Sequence, residues 1–361
     1  MTPRMDVRGR LERLRLLLNK AGAELYVASR YPNTYYFTLA FDVHGTLLLP
    51  LEGTPRFVVS ERSVGIAEEL AQDCDVVGVK HQERYEEVVL REVEAFKPSS
   101  ILADNSSWQA YLDQSQRLRD VKLSVKPELL ASLRRRKEPE EMELLRKAAE
   151  IADRGVEAAF SMLGPGVKQS EVRSEAEYAM LRAGSEEVAF IVLNTGSRSA
   201  YPDVCRAEKT IAEGDLGFID VGPRYRGYIG DSTRCFIVGQ PTARQLELVN
   251  TVRRVQEEAL QMVKPGLSTE EYDSAARRAF AAAGYPGNPP HHTGHGLGLG
   301  EDIPYIIAGG QEDVIQLGDV MTVEIGAYVR GFGGARIEDD VVVTEGRPEV
   351  LTRFPKDRIV V

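Results

Sequence analysis

Apolar positions recur along this chain in more than one rhythm, and each rhythm predicts its own kind of element. Leu11, Leu14, Leu17, Leu18 and Ala21 repeat at helical spacing with arginines between them. Met1 to Gly22 therefore predicts an amphipathic opening helix and not a signal peptide, which needs a long apolar core. From residue 24 to about 125, apolar runs at Leu25 to Ala28, Thr46 to Leu49, Phe57 to Ser60, Val76 to Val79 and Ile101 to Ala103 alternate with helix-like segments at 62 to 71, 84 to 97 and 108 to 117. This alternation predicts a small α/β domain. Pro127 to Leu133 reads as a short helix. The basic run Arg134 to Lys137, with Glu138 and Pro139 after it, reads as a solvated linker rather than a docking patch, and it leads into a long amphipathic helix from Pro139 to Leu163.

That helix stops at Gly164-Pro165-Gly166, and a matching stop occurs at Pro265-Gly266. After each, a serine (Ser170, Ser268) with an acidic residue close behind reads as the N-cap of a new helix. The strands that follow are also duplicated. Glu213 to Gly222 aligns with Leu317 to Gly326 at a constant separation of 104 positions, matching Gly214 with Gly318, Asp215 with Asp319 and Asp220 with Glu324. A second pairing sets Asp231 to Gly239 against Glu338 to Gly346. Helix, Pro-Gly stop, helix and carboxylate-bearing strands thus form a unit written twice, which predicts two halves related by a pseudo-twofold axis. Asp215 and Asp319 follow a glycine at the strand entrance and read as turn residues. Asp220, Asp231, Glu324 and Glu338 interrupt runs of Val, Ile and Phe, where burying a charge costs several kcal/mol unless it is paired or bound to a metal.

Composition narrows the class. A chain of 361 residues is long for one core and predicts two domains. A formal net charge of −10 excludes the basic footprint needed by nucleic-acid readers and by proteins that bind acidic membranes. Cys74, Cys205 and Cys235 are few, odd in number and widely spaced, which suggests reduced thiols in a cytoplasmic protein, with Cys235 packed in a strand.

Of five histidines, three lie in His291-His292-Thr293-Gly294-His295, ahead of Gly296-Leu297-Gly298-Leu299-Gly300. Alternate glycines let a strand approach another backbone or a ligand closely. The third glycine is out of register for a dinucleotide fingerprint. Asp220, Asp231, His295, Glu324 and Glu338 together make five candidate ligands, four carboxylates and one imidazole. That set suits two divalent ions, Mn²⁺ or Co²⁺ ahead of Zn²⁺. Two such ions can hold a bridging water and lower its pKa toward ~7.

The motifs Asp220-Val-Gly, Asp231-Ser-Thr-Arg234, Gly294-His295-Gly296-Leu297-Gly298, Val323-Glu324-Ile325-Gly326 and Arg336-Ile337-Glu338-Asp339 resemble those of the M24 metallopeptidases. In its two-domain length the chain is similar to X-Pro aminopeptidases and prolidases within that group, with Asn33 to Thr38 at the place of the family's Tyr-Leu-Thr-Gly stretch. The resemblance implies an α+β protein. Its parts are a creatinase-like α/β domain over residues 1–132 and a duplicated pita-bread catalytic domain over 133–361, with the five ligands above, a small peptide substrate and a homodimer. It also implies that His291 and Tyr328 lie near the substrate and that Arg336 orients the ligand shell, although Tyr328 and Arg336 suit plain packing or ion pairing as well.

Two positions depart from the family. Its peptidases carry a histidine 17 residues before the first aspartate ligand and another seven residues after the histidine ligand; here these are Asp203 and Asp302. Ile303 and Ile325 likewise replace a usual glutamate and proline. A neutral imidazole can donate to a developing oxyanion, whereas an ionised aspartate only accepts. Losing one such donor costs about 3 to 4 kcal/mol of transition-state stabilisation. Asp203 and Asp302 could be held protonated by neighbouring carboxylates, face a positive substrate group, serve as a base, or lie in solvent-facing loops. The reading adopted is a dinuclear X-Pro peptidase-like hydrolase, with a metal-dependent hydrolase or lyase for a small cationic non-peptide compound, or a non-catalytic binding module, as the alternatives.

Overall fold

The computed structural model describes residues 5–108, 117–118, 120–203, 209–285, 291–302, 306–310 and 312–361, with the backbone alone at 301–302. The chain divides into two compact units, Met1–Arg136 and Lys137–Val361.

In the first unit, α1 (Val7–Ala21) buries Leu11, Leu14 and Leu18, while Leu17 is half-buried and Ala21 is exposed, so the apolar stripe is narrower than the spacing predicts. Arg10 completes it. Fully buried, its guanidinium lies over the Tyr36 ring and donates to the Tyr36 carbonyl at 2.8 Å, which satisfies a charge that burial would otherwise penalise. The five expected strands are present: β1 (Leu25–Ala28), β2 (Gly45–Pro50), β3 (Arg56–Ser60), β4 (Asp75–Val79) and β5 (Ser100–Ala103). A sixth, β6 (Lys122–Val125), carries polar Lys122 and Ser124 and escapes a hydrophobic reading. The sheet runs β4-β3-β2-β1-β5-β6, parallel throughout except for β2. The helices α2 (Tyr31–Thr38), α3 (Val64–Leu70) and α4 (Tyr85–Phe96) connect these strands. Of the segment expected at 108 to 117, residues 109–116 lie outside the described residues.

The basic run is not a linker. Arg134 and Arg135 complete α5 (Pro127–Arg135) and are buried, with Arg134 bonded to the side-chain oxygen of Asn33. Pairing with a buried amide overrides the usual preference of a charge run for solvent.

The second unit shows the duplication directly. Two helices, α6 (Pro139–Met162) and α7 (Gln169–Arg182), precede β7 (Glu187–Thr195), β8 (Leu216–Tyr225), β9 (Tyr228–Ile229) and β10 (Ser232–Ile237). Two more, α8 (Ala243–Met262) and α9 (Thr269–Ala282), precede β11 (Gly296–Leu297), β12 (Glu301–Asp302), β13 (Val320–Val329), β14 (Gly333–Val342) and β15 (Glu349–Val350). One sheet in the order β12-β11-β13-β14-β10-β8-β7 joins the halves at β14 and β10. On β8, on β10 and just after it, Ile219, Val221, Phe236 and Val238 pack with Val156, Phe160, Val172 and Met180 of α6 and α7. On β13 and β14, Val323, Ile325, Ile337 and Val341 pack with Leu248, Val252 and Tyr272 of α8 and α9. Strand alternation therefore sends the residues between them, Asp220, Glu324, Glu338 and Asp340, to the opposite, inner face.

The helix starts differ from expectation. Ser170 lies inside α7, whose N-cap is Lys168, and Ser268 caps α9 without a side-chain hydrogen bond. Backbone bonds satisfy these ends instead: the Gln169 amide donates to the Lys209 carbonyl and the Thr269 amide to the Asp313 carbonyl, both at 2.9 Å. Asp215 and Asp319 are turn residues, accepting from the Ala212 amide at 3.0 Å and the Gln316 amide at 2.7 Å after left-handed Gly214 and Gly318. Cys235 is packed in β10, where burial pushes its thiol up to about 12, and Cys205 lies outside the described residues.

Because Arg134 is a buried partner, Arg134→Ala should lower the unfolding free energy by about 1.5–3 kcal/mol, the worth of a hydrogen bond to a charged group. Exposed Arg136→Ala should change it by less than about 0.5 kcal/mol. Equal effects in urea titrations would restore the linker reading.

Candidate metal centre

Register sets the site. Glu324 on β13 pairs with Glu338 on β14, Glu338 with Thr233 on β10, and Thr233 with Asp220 on β8. Paired residues share a face, so three carboxylates and a hydroxyl form one row across four neighbouring strands. Asp231 stands just before β10 rather than within a strand, and His295 just before β11. Ligand atoms of Asp231, His295 and Glu338 lie within 4.8 Å of one another, and all three residues are buried. Asp220 and Glu324 converge on Arg336, which contacts Asp220 Oδ2 closely and lies 3.6 Å from Glu324 Oε2.

The histidines are oriented by carbonyls. His295 Nδ1 is 3.1 Å from the Gly296 carbonyl, and because a carbonyl can only accept, this nitrogen carries the proton. The lone pair is left on Nε2, which points at Asp231 Oδ2 at 3.5 Å. His291 likewise donates from Nδ1 to the His292 carbonyl at 2.5 Å and lies 2.9 Å from the Tyr328 hydroxyl through Nε2. Burial, opposed by Glu324 and aided by Arg336, brings His291 down to about 4, so it is neutral at ordinary pH. Both His291 and His292 stand 3.3 Å from Glu324 oxygens.

The charges do not balance within the protein. Burial, and then repulsion from Glu338 and Asp220, pushes Asp231 well above the usual carboxylate range; burial and repulsion from Glu324 and Asp220 do the same to Glu338. Burial raises Asp220 against the opposing pull of Arg336. Glu324 is the exception: burial raises it, but the bond from His292 and the charge of Arg336 outweigh that and hold it low. Among the described residues, Asp220 Oδ1, Asp231 Oδ1 and Glu338 Oε1 are buried without a hydrogen-bond partner. Hard oxygen donors with unused lone pairs beside one imidazole nitrogen fit divalent cations, whose charge would reverse these upward shifts.

Other expected residues are placed less centrally. Asp203 is exposed, and its backbone carbonyl accepts from the Asn194 amide group at 2.8 Å. Asp302 pairs across β11 and β12 with Gly296, next to His295; its side chain and Ile303 lie outside what is described. Thr233, which donates to Glu338 Oε2 at 2.7 Å, and His292 were not singled out by spacing. The signal for Thr233 lies in its strand parity, two residues beyond Asp231 and in phase with the inner face.

Residues 143–345 match the profile of metallopeptidase family M24, and residues 10–135 match the creatinase/prolidase N-terminal domain. The Xaa-Pro dipeptidase of Pyrococcus furiosus is 31% identical over 353 residues, covering 96% of this chain and 99% of that protein. The Xaa-Pro dipeptidase of Pyrococcus horikoshii is 30% identical, covering 95% and 96%. Among solved structures, the Xaa-Pro dipeptidase from Bacillus anthracis superposes with a TM-score of 0.89 at 30% identity, covering 99% of this chain and 100% of the other.

A Cβ at Gly294 would lie 2.2 Å from the Thr322 carbonyl oxygen, the approach that brings His295 against β13. Gly294→Ala should therefore cost about 1–3 kcal/mol by calorimetry. Gly65→Ala on open helical surface should be neutral or stabilising by about 0.5–1 kcal/mol. A neutral Gly294→Ala would refute the close-approach account.

Proposed function

The chain belongs to metallopeptidase family M24 and carries that family's creatinase/prolidase N-terminal domain, and from that premise we propose that it is an X-Pro dipeptidase working with two divalent metal ions. The observation that carries this reading is the set of carboxylate oxygens on Asp220, Asp231 and Glu338 that are buried and unpartnered among the described residues, beside the unprotonated Nε2 of His295. Asp220, Asp231, His295, Glu324 and Glu338 would hold the ions, and the hard donor set favours Mn²⁺ or Co²⁺ over Zn²⁺. Relatives named for Xaa-Pro dipeptides favour a peptide over a small cationic non-peptide substrate. A homodimer and a cytoplasmic location belong to the same proposal; no helix of the described residues is long and apolar enough to cross a membrane.

When bound, the ions supply Lewis acidity, lowering the pKa of a bound water toward ~7 and polarising a carbonyl. The chain's own groups prepare the site for that chemistry. Thr233 holds Glu338 by one oxygen and leaves the other free; Arg336 holds Asp220 and Glu324 in place; the carbonyl of Gly296 fixes the His295 tautomer. Neutral His291, tied to the Tyr328 hydroxyl, puts a polar pair beside Glu324 to orient the peptide. Asp203 and Asp302, standing where the family carries histidines, are assigned to the α-ammonium of the dipeptide, whose positive charge an ionised carboxylate compensates and a neutral imidazole does not.

Protein loaded with Mn²⁺ or Co²⁺ should release proline from X-Pro dipeptides. Glu338→Gln should reduce kcat/KM by more than the roughly 100-fold typical of an outer-shell change. No proline release across a panel of X in wild-type protein would sink the proposal. Asp302→Asn should raise KM about tenfold, the loss of ~1.4 kcal/mol, with kcat nearly unchanged. A fall in kcat at constant KM would instead assign Asp302 to proton transfer.

A further inference from the structure

The two duplicated hairpins meet at one seam. β10 pairs with β8 along Ser232 to Ile237, and β13 with β14 along Val320 to Val329, yet β10 and β14 share only the registered pair Thr233 with Glu338. Candidate ligands lie on both sides of it: Asp220 and Asp231 in the first half, Glu324 and Glu338 in the second. Slack at this seam would change the spacing of the ligands directly.

A buried ion pair spans the seam from the outer face. The Arg234 guanidinium donates from Nη1 to the Thr233 carbonyl at 2.9 Å and the Glu338 carbonyl at 2.6 Å, from Nη2 to Asp339 Oδ1 at 2.8 Å, and from Nε to the Phe354 carbonyl at 2.8 Å. Asp339 Oδ1 also accepts from the Thr352 hydroxyl at 2.9 Å; its Oδ2 accepts from Gln256 at 2.8 Å and Lys356 at 2.5 Å. Glu338, Asp339 and Asp340 therefore divide their labour by strand alternation. Glu338 joins the inner-face row, Asp340 accepts the Asp231 amide at 2.9 Å on that same face, and Asp339 turns outward to Arg234.

Such a pair is a poor device for stability alone, since well-packed apolar residues of similar volume are often as stabilising or more so. It is a good device for geometry, because a planar guanidinium fixes several acceptors in one arrangement. We propose that Arg234 and Asp339 are positioning residues that set the spacing of the metal ligands across the seam, and so govern affinity for the metal pair. This rests on the metal-centre reading above.

The test is Co²⁺ titration of the full-length protein, followed by calorimetry and by the visible absorption of bound cobalt, alongside thermal unfolding. Asp339→Asn and the milder Lys356→Met should each weaken Co²⁺ binding about tenfold or more and alter the absorption band. Val172→Ala, a cavity beside α7 that removes none of the Arg234 and Asp339 bonds, should lower the unfolding temperature while leaving Co²⁺ affinity and spectrum unchanged. Seam variants that bind Co²⁺ within about twofold of wild type, with an unaltered band, would overturn the inference. If Asp339→Asn fails to fold, Lys356→Met decides it alone. Wild-type protein that bound no cobalt would overturn the metal-centre reading itself, and this inference with it.

Discussion

Carboxylates held side by side on the dry face of a sheet need compensating positive charge, and the second unit is organised around that need. Asp220, Glu338 and Glu324 occupy one row with Thr233, and Asp231 stands at its edge. Arg336 reaches two of them. Burial and mutual repulsion still push Asp231 and Glu338 well up, which marks a site with more negative charge than its own side chains neutralise. Divalent cations would resolve the imbalance, and membership of a metallopeptidase family accords with that.

The same row constrains everything around it. Strand alternation sends the neighbours of these carboxylates outward, so Ile219, Val221, Val323 and Ile325 meet the helices. Each half supplies its own hairpin and its own helix pair, yet Leu216, Phe218, Cys235 and Ile237 of the first half join the core that includes Leu248, Val252 and Tyr272 of the second. The ligands too come from both halves. The β10–β14 seam thus carries the demand for precision, and the polar bridge of Arg234 and Asp339 is found there, under the helices and out of solvent.

Much of this was legible in the chain because the code involved is local. A period of two along Phe218 to Val221 and Val323 to Ile325, broken by acids at matching positions, marks both the strands and the residues they present. In the second unit α6 and α8 each end just before a Pro-Gly stop, a signal local to the chain. Where local rules failed, a tertiary partner had changed the energetics. Arg134 reads as solvated until Asn33 is brought to it, and Ser170 reads as a cap until the Lys209 carbonyl takes the first amide of α7. His292 carries no spacing signal, since its role arises from Glu324 on β13, and the parity of Thr233 does not by itself reveal its partner Glu338.

The sequence by itself determined the two-part organisation, the duplication, the identity of the five candidate ligands and the family they resemble, since these are properties of residue type and order along the chain. Only the tertiary structure decided which ligands stand together, which nitrogen of His295 is free, and that Asp203 is exposed. It also decided that a buried arginine closes the join between the halves. These are matters of angle and distance between segments more than a hundred residues apart. They depend on how the strands of the two halves register against each other, which no local preference encodes.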